Sequence, residues 1–326
     1  MSRNVVLSLV VAVAAGLQGC ARPPVRTPAS AGAVLWREPS AHRPETTTPP
    51  RPPFRFVDED MAGDSPKLLV ADASGTRWQI KLGAEAQTET VAVRIVNAVG
   101  FFAEETYFLP ATQVDGIEQL RRGREFIGRD GVLRNARFEA RRESVRRGER
   151  WDWARNPFVG TVELDALRAM MVLFNNYDAR TDNNRILTVT DGSHAEDQYV
   201  VADLGASFGH VGGMGGTRTK NDIDGYRGST FVERVDRDRV EFAYRTTPEG
   251  WARALFVVNP WYVAGERKKR HDLQSVPIPA ARWLASRLRP LTPQIRRAFE
   301  EAGYPADETA AFLSVLTARI DRLSRL

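Results

Sequence analysis

Asn176-Tyr177-Asp178-Ala179-Arg180-Thr181-Asp182-Asn183 and, a little further on, Val200-Val201-Ala202-Asp203-Leu204-Gly205 are the stretches that decide how this chain is read. Asp178 and Asn183 keep a D-x-x-x-x-N spacing, and a further carboxylate arrives at Asp203 ahead of a Leu-Gly turn. Arg185 to Thr190 and Gln198 to Ala202 read as the strands of a hairpin across Asp191 to Asp197, which returns the chain to Asp203. On the upstream side Leu164, Leu167, Met170, Met171 and Phe174 form one apolar helical face that delivers the chain to Asn175. Either motif alone occurs by chance in many proteins. Joined by a hairpin and preceded by a core helix, they are more specific.

Working outward towards the amino terminus, Lys67 to Asp72 and Arg77 to Leu82 are strand-like runs separated by Ala73-Ser74-Gly75-Thr76, a hairpin with glycine at its tip. Alternation sets Lys81 opposite Ile80 and alongside Gln79. A helix follows, with Val91, Ile95 and Val99 at helical spacing and Gly100 as its stop. Glu85 and Glu89 lie four residues apart on one face of it, so either can reach Lys81, and spacing does not choose between them. Phe101 to Leu109 reads as a strand closed by Pro110. Residues 121–150 carry eleven arginines interleaved with acids, the pattern of a solvated strand pair with loops. Downstream, helices are expected near Thr247–Val258, Pro279–Leu288, Thr292–Ala302 and Asp307–Leu323.

Phosphoryl transfer asks for placed charges around ATP·Mg²⁺ and an oriented nucleophile rather than for covalent work by the protein. One solution uses a strand lysine on the phosphates, a helix glutamate pairing it, an Asp with an Asn five residues later, and a second metal-binding Asp. Lys81, the helix glutamate, Asp178 with Asn183, and Asp203 occur here in that order. In these roles Asp178 orients or accepts the proton of a substrate hydroxyl, Asn183 binds metal through its carboxamide oxygen, and Asp203 bridges Mg²⁺ to the phosphates.

Over roughly residues 65–210 the chain resembles the protein-kinase-like superfamily, and in particular its atypical HipA-type and phosphatidylinositol-kinase-like members. The resemblance selects Glu89, because Glu89 to Gly100 is similar to the HipA-type helix. It makes Arg180 a phosphate-contacting cation and assigns phosphate covering to the hairpin tip at Gly75, since no G-x-G-x-x-G precedes Lys81. Asp203-Leu204-Gly205-Ala206-Ser207-Phe208 is similar to the D-F-G-x-x-F segment of lipid kinases. Asn176-Tyr177 replaces the usual His-Arg, and no A-P-E motif follows. The fold implied is α+β and bilobal: a small antiparallel-sheet lobe with one helix over residues 61–150, and a larger, mainly helical lobe over 151–326.

The amino terminus stands apart. Arg3 precedes an apolar run from Val5 to Leu17 that is too short to span a bilayer and ends in Leu17-Gln18-Gly19-Cys20. That ending resembles the lipobox of bacterial lipoproteins, which makes residues 1–20 a signal peptide and Cys20 the lipidated residue. Residues 21–60, rich in Pro, Thr, Ala and Arg, read as a disordered tether. The anchored location implied is the cell envelope: outer membrane facing the periplasm, or the cell surface, in a Gram-negative host. Cys20 is the only cysteine, so no intramolecular disulfide forms. Net charge is +5, and only five of the 46 basic residues are lysines.

No nucleic-acid-binding signature accompanies the charge, no nucleic-acid partner is expected, and the four scattered histidines make no zinc motif. The expectation is therefore an exported atypical kinase that uses ATP and Mg²⁺ to phosphorylate a hydroxyl of a protein, lipid or glycan. The alternatives are a catalytically silent kinase-fold lipoprotein serving as an envelope binding module, or a structural lipoprotein in which the motif is coincidence.

Overall fold

The computed structural model describes residues 32–39, 48–61, 65–142, 145–191, 194–212, 217–247 and 259–326. The signal peptide and Cys20 lie outside these residues, as does most of the helix expected near Thr247–Val258. The chain is an α+β protein. In order it forms β1 (Ala33–Val34), β2 (Phe54–Asp60), β3 (Lys67–Ala71), β4 (Arg77–Leu82), α1 (Glu85–Val99), β5 (Thr106–Asp115), β6 (Val132–Arg141), β7 (Val145–Arg147), α2 (Val162–Leu173), β8 (Arg185–Asp191) and β9 (His194–Val200). The carboxy-terminal part adds α3 (Ile223–Gly228), α4 (Pro260–Gln274), α5 (Ile278–Leu288), α6 (Thr292–Glu301) and α7 (Ala306–Ser324).

Two apolar cores organise these elements. Strands β2-β3-β4-β6-β5 close into a barrel, antiparallel except where β5 meets β2. Alternation points Trp78, Ile80 and Leu82 of β4 inward against Phe54, Leu68, Val70 and Phe138. Closure removes the sheet edges that a small lobe would otherwise expose. The second core gathers α2, α5, α6 and α7, and it also takes Val91, Ile95, Val96 and Val99 of α1. Helix α1 is therefore anchored in the helical lobe while its first turn faces β4. Strands β1-β9-β8-β7 make a separate four-stranded sheet.

The stretch expected to be a tether up to residue 60 is not one throughout. Leu35 is buried in the helical core, the Trp36 indole donates to Val99 O at 2.9 Å, and Arg37 N donates to Gly100 O at 2.9 Å. Gly100 stands at φ 103°, and a Cβ there would overlap the Arg37 carbonyl, so this strap requires glycine. Phe54 and Phe56 likewise pull β2 into the barrel. A few apolar residues outweigh a disorder-prone average composition once a core is present to receive them.

Two further expectations shift. The strand placed at Phe101–Leu109 runs instead from Thr106 to Asp115, with Pro110 inside it. Helix α4 at Pro260–Gln274, with proline in its first position, lies outside the helices expected from apolar spacing. Among the described residues no helix is long and apolar enough to cross a membrane.

Candidate active site

The barrel face opposite Ile80 carries Lys81 towards α1. Its Nζ lies 2.6 Å from Glu85 Oε2, 3.2 Å from Glu89 Oε2 and 2.6 Å from Asp203 Oδ1. Lys81 is only 4% exposed. Burial alone would lower its pKa, but Glu89, Asp203 and Glu85 outweigh it and hold the ammonium well above the ordinary lysine value. Burial also opposes ionisation of Glu85, yet Lys81 and Lys220 bring its carboxyl down to about 2. The structure thus brings Lys81, Glu89 and Asp203 together and adds Glu85, which shares the lysine rather than losing the choice to Glu89.

Asp203 is held in the left-handed region at φ 56°, a costly conformation for a non-glycine residue, and its side chain remains 43% exposed. The turn after it fits closely under α1. A Cβ on Gly205 would lie 2.7 Å from Glu85 Cβ, and Thr88 Oγ1 donates to Gly205 O at 2.8 Å. Only glycine lets the first turn of α1 approach the Asp203 turn this nearly.

The loop after α2 is tied to the same turn. Asn175, also at positive φ, donates from Nδ2 to Gly209 O at 2.6 Å, and Tyr177 N donates to Ala206 O at 3.3 Å. Asp178 N donates to Asn176 Oδ1 at 2.9 Å, while the buried Tyr244 hydroxyl donates to Asn176 O at 2.6 Å. Arg180 forks onto Asp178, with Nε 2.8 Å from Oδ1 and Nη2 3.0 Å from Oδ2. Asn183 Nδ2 donates to Asp178 O at 2.9 Å, which leaves Oδ1 as the atom Asn183 can offer a cation.

Tyr177, whose backbone is bonded to Ala206 of the Asp203 turn, lines a cleft together with Glu85 and Asp178. Its hydroxyl is pushed up to about 12 by burial and then by the negative charges of Glu85, Asp178 and Asp203, against Arg218. That cleft, of about 480 Å³, is lined among others by Ser65, Glu85, Tyr177, Asp178, Arg180 and Lys220. Carboxylate oxygens of Glu85, Glu89 and Asp203 lie within 4.8 Å of one another. Carboxylate and carboxamide oxygens, as on Asp203 and Asn183, are the hard donors that Mg²⁺ favours.

Gly75 does not join this group. It sits at φ 84° on the tip of the β3–β4 hairpin, six residues from Lys81 along β4, which is about 20 Å of strand. At Lys81's own end of the sheet β2 ends at Asp60 and β3 begins at Lys67. Lys67 pairs opposite Lys81, and Ser65 Oγ donates to Glu85 Oε2 at 3.1 Å.

Arg137 does not lie on the solvated face that the arginine-rich pattern of residues 121–150 implies. It is 4% exposed, with Nη1 3.0 Å from Glu89 Oε1 and 3.1 Å from Glu139 Oε2. Glu139 in turn meets Arg147 at 2.7 Å, and Arg147 meets Glu104 at 2.6 Å. The available signal was alternation along β6, where Arg137, Glu139 and Arg141 share one face and Ala136, Phe138 and Ala140 the other.

No protein-family model matches the chain, and no curated protein matches it. Among solved structures it is similar to the Helicobacter pylori proinflammatory kinase CtkA, at 11% identity over 83% of this chain and 96% of that one, with a TM-score of 0.46. It is also similar to HipA of the Shewanella oneidensis MR-1 toxin–antitoxin system in its complex with HipB and operator DNA. That match has 13% identity, covers 87% and 76% of the two chains, and has a TM-score of 0.34. The Golgi casein kinase with Mn/ADP bound matches at 9% identity, 85% and 73% coverage and a TM-score of 0.36.

Proposed function

We propose that this chain is a phosphotransferase of the atypical kinase type, using ATP and Mg²⁺ to phosphorylate a hydroxyl on a protein, lipid or glycan. The observation that carries the reading is Lys81 within bonding distance of Glu89 and Asp203 at once, beside a cleft that also holds Asp178. ATP·Mg²⁺ would supply the transferable phosphoryl group and neutralise charge developing on it.

The chain's own residues divide the remaining work. Lys81 would hold phosphate oxygens, kept in place by Glu89 and, behind it, Arg137. Asp203 and Asn183 would be the metal ligands. Asp178 would take the proton of the acceptor hydroxyl as its oxygen bonds to the γ-phosphorus and the bond from that phosphorus to the bridging oxygen breaks, with ADP as the leaving group; in the structure both Asp178 carboxylate oxygens are engaged by Arg180. The lipobox-like Leu17 to Cys20 supports an exported, membrane-anchored version of this enzyme in the cell envelope.

The test is thermal unfolding of the folded chain with and without millimolar Mg²⁺·ATP. A ligand that binds only the native state raises the midpoint by mass action, about 2.7 kcal/mol of stabilisation at a hundredfold excess over Kd. The wild type should shift and Asp203→Asn should not. Absence of any wild-type shift would count against the reading.

A further inference from the structure

Glu85 is the meeting point of three donors from three separate parts of the chain. Lys81 Nζ from β4 lies 2.6 Å from its Oε2, and Ser65 Oγ from the β2–β3 connection donates to the same oxygen at 3.1 Å. Lys220, 135 residues away in sequence, is ion-paired to its Oε1. Two of the chain's five lysines therefore converge on one carboxylate, in a protein that uses arginine almost everywhere else. A lysine suits a shared oxygen, because its compact charge and rotatable donors need no planar fork.

The position of Lys220 is built rather than incidental. Thr219 N donates to His210 O at 2.8 Å, Asn221 N to Ser207 O at 3.2 Å and Asp222 N to Phe208 O at 2.8 Å, stapling the segment around Lys220 to the stretch after Asp203. Gly209 permits this approach, since a Cβ there would sit 2.1 Å from Thr219 O and 2.7 Å from Lys220 N. Asn221 stands at φ 53°, accepts from the Tyr304 hydroxyl at 2.6 Å and donates to Gln87 on α1 at 3.3 Å. Lys220 also lines the cleft that contains Asp178.

We infer that Lys81, Lys220 and Ser65 form one phosphate-binding subsite, and that the Glu85 carboxylate fills it as a built-in anion plug until a phosphoryl donor displaces it. The inference rests on the phosphotransferase reading and adds to it Lys220 and Ser65 as donor-binding residues and Glu85 as a competitor for them. The recognised chemistry is a doubly charged phosphate oxygen face, which both ATP and inorganic tripolyphosphate present.

The experiment measures Kd for Mg²⁺·ATP and for Mg²⁺·tripolyphosphate by calorimetry on wild type, Glu85→Gln and Lys220→Met, with circular dichroism confirming that each is folded. Removing the competing charge should tighten both ligands several-fold in Glu85→Gln. Losing one charge-assisted contact should weaken both about tenfold in Lys220→Met. A shift confined to ATP would place the subsite's specificity in the nucleoside and overturn the phosphate assignment. Wild-type binding with Lys220→Met unchanged, or with Glu85→Gln weakened, overturns the plug while leaving the phosphotransferase reading standing. Binding that appears only in Glu85→Gln overturns a plug that the donor itself displaces. No binding in any variant removes both.

Discussion

Lys81 Nζ and Asp203 Oδ1 lie 2.6 Å apart although 122 residues separate them in the chain. That contact joins the barrel lobe to the turn following β9, and it places a buried ammonium against a carboxylate whose side chain stays 43% exposed.

Asp178 and Asp203 should separate binding from chemistry. Asp178→Asn gives up the charge paired with Arg180 but keeps the backbone amide and carbonyl bonds to Asn176 and Asn183 that shape the loop. It should retain the Mg²⁺·ATP thermal shift and abolish phosphoryl transfer, read as label incorporated into an acceptor or into the chain itself. Transfer surviving at more than about a hundredth of the wild-type rate would remove Asp178 from the proton-accepting role.

Arg137→Met should be among the most destabilising single changes. It takes one cationic partner from each of the buried carboxylates Glu89 and Glu139, leaving Lys81 on the first and Arg141 and Arg147 on the second, and a broken buried ion pair costs about 3–5 kcal/mol. Urea denaturation measures it. Arg137→Lys should recover part of the loss, because the charge returns without the second guanidinium contact.

Glu104 predicts a pH trend. Burial, and then the nearby Glu139, push its carboxyl from the usual 4.5 up to about 7, against Arg147. The folded chain therefore keeps a proton that the unfolded chain has already released, so this group costs stability progressively as pH rises from about 4.5 to 7. Glu104→Gln removes the cost, and its stability relative to wild type should improve between pH 5 and pH 8. A difference that stays flat or falls over that range contradicts the assignment.

Gly205→Ala tests the fit of α1 on the Asp203 turn. Gly205 is not at positive φ, so the penalty is steric, from a Cβ placed 2.7 Å from Glu85 Cβ and 3.0 Å from its Cγ. Overpacking of this kind costs about 1–3 kcal/mol. Because the displaced element carries Glu85 and Glu89, Mg²⁺·ATP affinity should fall along with the unfolding midpoint. A variant as stable and as tight-binding as wild type would show that α1 has room to yield.

Local patterns in the sequence were enough for Lys81 on a strand, Asp178 and Asn183 on a loop after an apolar helix, and Asp203 after a hairpin. Each depends on alternation, helical spacing or a short motif, which neighbouring residues specify among themselves. Helices α5, α6 and α7 were legible for the same reason, each carrying an apolar stripe towards a single core.

What the tertiary structure decided was partnership. Glu85 and Glu89 are equivalent by spacing, and packing gave Lys81 to both. Arg137 reads as one arginine among many until β6 pairs with β4 and sets it beside Glu89, 48 residues away. Lys220 has no local motif, and its place is set by Gly209, Asn221 and Tyr304, brought together from distant segments. The Pro-rich stretch hid β2 because Phe54 and Phe56 gain their stability only when the barrel closes around them. Burial and ion pairing act between residues far apart in sequence, and their sign depends on which side chains the fold makes neighbours.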